Sequence, residues 1–282
     1  MQDLIVAAIQ AESTPGDVVG NARTAARLVG EAADQGARLA VLPELFLCAY
    51  HPPALADPAT DVHADAAGVV ADARLDPLRA VARDRQVVVV IGAAVRTAGQ
   101  DRICAALVVA ADGTVRSAYA KENLCGDIER DLFVPGRQGA TLHVADGWRF
   151  GLGICYDGCF PEHARQAQAD DVHGMLYPAA YVTGSEHRRD VYYAARALDN
   201  TGYVIYSNCV DGTDPWLFNG GAAVYDPEGR AVVKGPNTGT SVLVAALSAD
   251  EIARTRSSHQ MLIDRPKTIF AGGDGCREQV YT

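Results

Sequence analysis

Cys155 is the residue whose surroundings most suggest chemistry. It ends the apolar run Arg149–Ile154, which reads as a strand, and precedes the turn Tyr156-Asp157-Gly158 and a helix predicted over Pro161–Ala169. A strand-to-helix turn exposes a side chain and points the following backbone N–H groups toward it. That is the geometry of a nucleophile elbow with an oxyanion donor beside it. The competing reading is a buried core thiol at the end of a strand.

A cysteine is only a few per cent thiolate at neutral pH, so a nucleophilic Cys155 needs a base or a cationic neighbour. The seven histidines offer little. His51 and His63 fall in a loop, His163 in the helix after Cys155, and His143, His173, His187 and His259 lack any flanking catalytic pattern. A papain-like Cys/His pair therefore has little support. Glu44 and Lys121 stand better. Glu44 follows Pro43 at the end of the predicted strand Arg38–Pro43, and Lys121 ends the predicted strand Val115–Ala120. Active sites built on sheets gather their groups at strand ends. Taken alone, each reads as a solvated edge charge sooner than as a catalyst. The three groups work together only if their strands are neighbours, and sequence spacing does not say so.

Two other chemistries compete. Cys155, Cys159 and His163 are spaced four apart, as on a metal-binding helix. Pro161 interrupts that spacing, however, and a four-ligand zinc site needs one more matched ligand. Gly151-Leu152-Gly153 lacks the third glycine of a dinucleotide fingerprint, because Tyr156 occupies its place, and no Walker-type element follows.

The elements that must position these groups alternate short β-rich runs with amphipathic stretches. Strands are expected at Leu4–Gln10, Arg38–Pro43, Val87–Val95, Ile103–Ala110, Val115–Ala120, Arg149–Ile154, Val172–Tyr177, Tyr203–Asn208, Ala222–Tyr225, Ala231–Lys234 and Ser241–Ala246. Helices are expected over Val18–Gln35, Asp76–Arg85, Pro161–Ala169 and Ser185–Asn200. Asp76 reads as the N-cap of the second, with Pro77 at its first position, and Ser185 caps the last, with Gly202 just past its end. Pro52–Asp65 reads as a loop. Asp112-Gly113 signals a hairpin. Arg254–Thr282 has little periodicity and reads as a segment wrapping over a surface or a partner. The mixture is α/β, with both hairpins and crossovers.

The chain has 282 residues, 49% of them hydrophobic, enough for a large core without disulfides or metal. Its formal net charge of −10 argues against a broad phosphate-binding surface, hence against a nucleic-acid partner. The longest apolar stretch, Val87–Val95, is about half of what a membrane span requires, and the N-terminus does not read as a signal peptide. Seven scattered cysteines suit a reduced, cytoplasmic protein better than a disulfide framework.

Several ordered blocks together resemble one family. They are Pro43-Glu44-Leu45-Phe46, Lys121 with Glu129-Arg130 and Phe133-Val134-Pro135-Gly136, then Gly151-Leu152-Gly153-Ile154-Cys155-Tyr156-Asp157 with Phe160-Pro161-Glu162. Arg196–Asn200, Tyr203-Val204 and Ser207-Asn208 follow. This series is similar to the signature of the nitrilase superfamily, the carbon–nitrogen hydrolases. It runs from the first strand to about residue 247, implying a hydrolase domain over residues 1–247 and a C-terminal tail over 248–282.

The resemblance implies a four-layer αββα sandwich. It implies Cys155 as nucleophile, Glu44 as general base, Lys121 and the Tyr156 backbone N–H as oxyanion donors, and Glu129 as a second glutamate that positions substrate and Lys121. Neither metal nor organic cofactor is expected. Asn123, Cys159 and Asp199 depart from residues common in relatives. The missing arginine at 159 weakens a substrate with a free carboxylate. The series from Lys121 to Glu129 most resembles bacterial aliphatic or amino-acid-amide hydrolases, so the implied substrate is a small neutral or cationic amide, with Tyr50, Cys125, Cys159 and Tyr181 as candidate pocket walls. Nitrile and N-carbamoyl hydrolysis use the same groups, and a non-catalytic scaffold is the remote alternative. The family also implies a homodimer or larger homo-oligomer, formed by Pro161–Ala169 and Ser185–Asn200, with Tyr192 and Tyr193 suited to an interface or to a core.

Overall fold

A computed structural model describes residues 1–264. Two sheets pack face to face, and helices cover their outer faces, giving four αββα layers. One sheet runs in the order Ser241–Leu247, Leu4–Gln10, Leu39–Val41, Val88–Arg96, Arg102–Val109, Val115–Ala120, with the short strand Val62–His63 also paired to Val88–Arg96. The other runs in the order Ala231–Lys234, Ala223–Tyr225, Tyr203–Asn208, Gly174–Ala179, Arg149–Leu152, Thr141–His143.

The first strand shows why these runs are apolar throughout rather than alternating. Val6 and Ala8 face the second sheet, in a core that includes Leu176, Val204 and Tyr206. Ala7 and Ile9 face the other way, onto Ala22, Ala25, Leu28 and Val29 of the helix Val18–Asp34. A strand covered on both faces needs apolar residues at every position. The opposite outer layer is formed by Pro161–Ala167 and Glu186–Asn200.

Strand direction brings the candidate residues together. Leu4–Gln10, Leu39–Val41 and Val88–Arg96 are mutually parallel. Two antiparallel steps, to Arg102–Val109 and then to Val115–Ala120, restore that direction. The chain after Val41 and the chain after Ala120 therefore leave the sheet at the same edge. Arg149–Leu152, Gly174–Ala179 and Tyr203–Asn208 are parallel in the second sheet. The Glu44 N–H donates to the Ala179 carbonyl (3.3 Å), joining the strand ends of the two sheets.

Several local expectations are corrected. Pro52–Asp65 is not a plain loop. It holds the helical turns Pro52–Leu55 and Pro58–Thr60 and the strand Val62–His63. Prolines preset the backbone of both turns, and His51 and Asp57 cap them. Asp76 is the first residue of its helix, not the cap, because a 3₁₀ turn over Ala73–Leu75, capped by Asp72, runs directly into it. Thr201, with φ of +44°, takes the left-handed position after Glu186–Asn200, ahead of Gly202. Sequence reasoning missed the hairpin Val210–Thr213/Trp216–Asn219 and the helix Ala249–Ser258. That helix buries Ile252 and Thr255, and its Arg256 donates to the Val172 and Thr201 carbonyls. Most of the segment expected to wrap over a surface, residues 265–282, lies outside the described residues.

Candidate active site

Glu44, Lys121, Glu129 and Cys155 meet at the shared strand edge. Lys121 Nζ lies 2.6 Å from Glu44 Oε1 and 2.8 Å from each carboxylate oxygen of Glu129. All three side chains are buried. Glu44 is held tightly, since a Cβ on Gly92 would stand 2.2 Å from the Leu45 nitrogen. Only glycine at 92 lets the turn carrying Glu44 lie against the neighbouring strand. Glu129 is fixed from three sides. It accepts from Lys121, from the Tyr50 hydroxyl (2.9 Å) and from the Cys125 N–H (2.8 Å).

Burial dominates the electrostatics. Loss of solvent raises the Glu44 carboxyl to about 7, against the opposing pull of Lys121; Glu129 adds to the rise, and the nearby Cys155 thiol is among the groups favouring ionisation. Among the described residues Glu44 Oε2 has no hydrogen-bond partner. Burial also lowers Lys121, but Glu44, Cys155 and Glu129 outweigh it, so the ammonium is held charged. Burial and the Glu44 charge push the Cys155 thiol well above its usual range. Cys155 thus rests as a protonated thiol beside a carboxylate poised near neutrality.

Cys155 sits at φ of +44°, an unusual backbone state for a residue with a side chain, and opens a 3₁₀ turn over Cys155–Cys159. The first N–H groups of such a turn have no partner within it, which leaves the Tyr156 N–H suited to an oxyanion. The turn is anchored on both sides. The Tyr193 hydroxyl donates to the Cys155 carbonyl (2.9 Å). Asp157 accepts from Ile154 N–H (2.9 Å), from the Tyr119 hydroxyl (2.8 Å), and from both the backbone and side-chain amides of Asn123 (2.9 Å each). Asp157 therefore couples the Cys155 turn to the segment that follows Lys121. Sequence reasoning missed this role, for which no local pattern exists.

The candidate pocket residues are distributed around this centre. Tyr50 touches it directly through Glu129. Cys125 contributes its backbone N–H, and its side chain is exposed. The Cys159 thiol and the Tyr181 hydroxyl pair at 3.2 Å. His163 bonds Tyr119 (2.9 Å) instead of acting as a base on Cys155. Among the described residues, no three His, Cys, Asp or Glu side chains assemble as a metal site, so Cys155, Cys159 and His163 do not form one. Tyr193 is core, not interface, with no exposure at all. Cys104, missed in the sequence, donates its thiol to Glu44 Oε1 (3.7 Å).

The carbon–nitrogen hydrolase family model matches residues 5–257, which include Glu44, Lys121, Glu129 and Cys155. The chain belongs to the carbon–nitrogen hydrolase family. This carbon–nitrogen hydrolase is 28% identical over 269 residues to a hydrolase of Pseudomonas protegens, covering 94% of this chain and 90% of that one. It is 27% identical over 265 residues to an omega-amidase of Mus musculus, covering 89% of this chain and 91% of that protein. Among solved structures it resembles an amidase from Nesterenkonia sp. AN1, with a TM-score of 0.77 and 28% identity, over 90% of this chain and 97% of that one. In that structure acrylamide has added to the active-site cysteine. Among the described residues of this hydrolase, no helix is long and apolar enough to cross a membrane.

Proposed function

We propose that the protein hydrolyses a small amide to a carboxylate and ammonia or an amine through a thioester on Cys155. The observation that carries this reading is Lys121 held between two buried carboxylates beside a buried thiol. An amide is a weak electrophile, and acylation followed by deacylation divides its hydrolysis into two lower barriers.

In this reading Glu44 takes the Cys155 proton as sulfur attacks the carbonyl carbon. The carbonyl electron pair moves onto oxygen, where Lys121 Nζ and the Tyr156 N–H offset its charge. Collapse of this intermediate breaks the C–N bond, and Glu44 returns its proton to the departing nitrogen. Glu44 then takes a proton from water as the water oxygen attacks the thioester carbon; collapse breaks the C–S bond, and Glu44 returns the proton to the departing Cys155 sulfur as the product acid is released. A carboxyl group poised near 7 suits both directions of proton transfer. Glu129 keeps Lys121 oriented and charged. Cysteine addition by an amide-bearing molecule in the Nesterenkonia amidase supports the assignment of the nucleophile.

The same reading places the enzyme in a reducing, cytoplasmic setting, consistent with the free thiols of all six described cysteines. It also takes the protein as a homo-oligomer with Pro161–Ala169 and Ser185–Asn200 in the interface; Val191 and Leu198, in the second of these, are exposed on the outer layer. Light scattering that finds only monomer rejects the oligomer.

The deciding experiment incubates the protein with an aliphatic amide, a nitrile and an N-carbamoyl amine. Intact mass reports adducts, and ammonia and acid are quantified. An acyl adduct on Cys155 with amide turnover is expected. Turnover of nitrile or N-carbamoyl amine alone would replace the amide reading, and no adduct with any of them would favour a non-catalytic scaffold.

A further inference from the structure

The strand Val115–Ala120 changes faces part-way along. Val115 belongs to the outer core, the one that includes Leu78 and Ala82, whereas Tyr119 belongs to the core between the two sheets. In a regular strand residues four apart share a face. The pairing explains the switch. Ala106 stands opposite Tyr119 and Leu107 opposite Ser117, so Ala118 is one extra residue, a bulge. Every side chain beyond it is turned to the other face. The Lys121 N–H donates to the Cys104 carbonyl (2.8 Å), which carries the pairing one residue past the strand. Tyr119 and Lys121, two residues apart, therefore share the face toward the second sheet and the Cys155 turn.

There Tyr119 joins three elements. Its hydroxyl donates to Asp157 Oδ2 (2.8 Å), in the turn that holds Cys155 and Tyr156. The same hydroxyl meets His163 Nε2 (2.9 Å), from the helix Pro161–Ala167. The other partners of Asp157 are N–H groups of Ile154 and Asn123, so the carboxylate acts as an acceptor throughout. The hydroxyl has one proton and gives it to Asp157, and His163 then donates to the hydroxyl oxygen from Nε2. Tyr119 and His163 are both buried, so bulk water does not compete for these bonds.

We propose that Tyr119 is a positioning residue that sets the separation between Lys121 Nζ and the Tyr156 N–H, with His163 holding its hydroxyl toward Asp157. The inference rests on the amide-hydrolase reading, in which those two groups hold the oxyanion. The two donors come from different sheets. Lys121 follows Val115–Ala120 in the first, and Tyr156 follows Arg149–Leu152 in the second. The Tyr119–Asp157 bond braces one against the other. Without it, the two donors would no longer converge on one oxygen, and each would stabilise the developing charge less well. Cys155 and Glu44 would keep their places. Tyr193 holds the Cys155 carbonyl, and the Ala179 carbonyl holds the Glu44 N–H.

The test compares the wild type with Tyr119→Phe in kcat for an aliphatic amide, in the rate of iodoacetamide labelling of Cys155, and in protection of Cys155 from that label by butyraldehyde. Alkylation displaces iodide and forms no oxyanion. Addition to the aldehyde forms an S–C bond, passes the thiol proton to Glu44 and leaves the negative charge on the former carbonyl oxygen, as in amide hydrolysis. Tyr119→Phe should lower kcat and weaken butyraldehyde protection by about tenfold or more, while labelling changes by less than about twofold. His163→Leu should act in the same way but more weakly. It should add nothing in the Tyr119→Phe background, where there is no hydroxyl to hold. His163→Gln, which keeps an N–H₂ donor, should recover most of the loss. Parallel loss of labelling and turnover, or no loss of kcat and protection, would overturn the brace. If Tyr119→Phe does not fold, His163→Leu and His163→Gln carry the same comparison. A wild type that turns over no amide counts against the hydrolytic reading alone. The brace is then decided by butyraldehyde: stronger protection of the wild type than of Tyr119→Phe supports it, and equal or absent protection overturns it.

Discussion

Lys121 Nζ stands 2.6 Å from Glu44 Oε1, and neither side chain has any solvent exposure. The contact sets opposing demands on Glu44. Burial drives the carboxyl toward its neutral form, and the ammonium pulls it back, leaving it near 7. A carboxylate in water would be too weak a base for a thiol, and one fully protonated would be no base at all.

The pH dependence follows from that balance. In the proposed mechanism Glu44 accepts the thiol proton only when ionised. Below about 7 its raised pKa keeps it protonated, so kcat/KM should fall about tenfold per pH unit on the acid side. The acid limb should therefore sit near 7, well above the 4.5 of an ordinary glutamate. Iodoacetamide labelling of Cys155, followed by mass spectrometry, should show the same limb. Glu44→Gln should abolish it and reduce turnover at least a thousandfold.

Removing the proposed nucleophile separates binding from chemistry. Cys155→Ala should retain the fold and lose adduct formation and turnover entirely. Intact-mass spectra and ammonia release check both, and wild-type turnover in this variant would sink the mechanism.

Lys121→Met should cost more than catalysis. It leaves Glu44 and Glu129 buried together without their cation, and breaking a buried ion pair costs about 3–5 kcal/mol. Urea unfolding should show that loss. Adding Glu44→Gln should restore part of it, because the two changes share one contact. The rate should also drop by about a hundredfold or more through loss of the proposed oxyanion donor.

Asp157→Asn tests the link between the Cys155 turn and the Lys121 segment. The amide presents an N–H₂ group to donors that now meet a carboxylate, at a cost of about 1.5–3 kcal/mol in the hydrogen bonds made to it. Displacing the turn by about 1 Å should lower kcat about a hundredfold. KM should change far less, and the acid limb should stay near 7, since Glu44 is untouched. A shifted limb would contradict a purely positioning role.

The sequence alone determined the residue types, most strand positions and the chemistry they could perform. Leu4–Gln10 and Val115–Ala120 coincide with the observed strands, and Cys155 does open a strand-to-helix turn. These are local properties, set by β-branched runs, turn residues and prolines, and so they are legible in a window of a few residues. Shorter features obscured by Pro and Gly, such as the hairpin carrying Trp216 and Phe218, were not legible.

Tertiary structure decided the convergence. Glu44, Lys121 and Cys155 are separated by 77 and 34 positions in the chain. They meet because two antiparallel steps return Val115–Ala120 to the direction of Leu39–Val41, and because the second sheet docks with its strand ends at the same edge. Glu44 acquires its raised pKa only there, since desolvation belongs to the packed core and not to the residue.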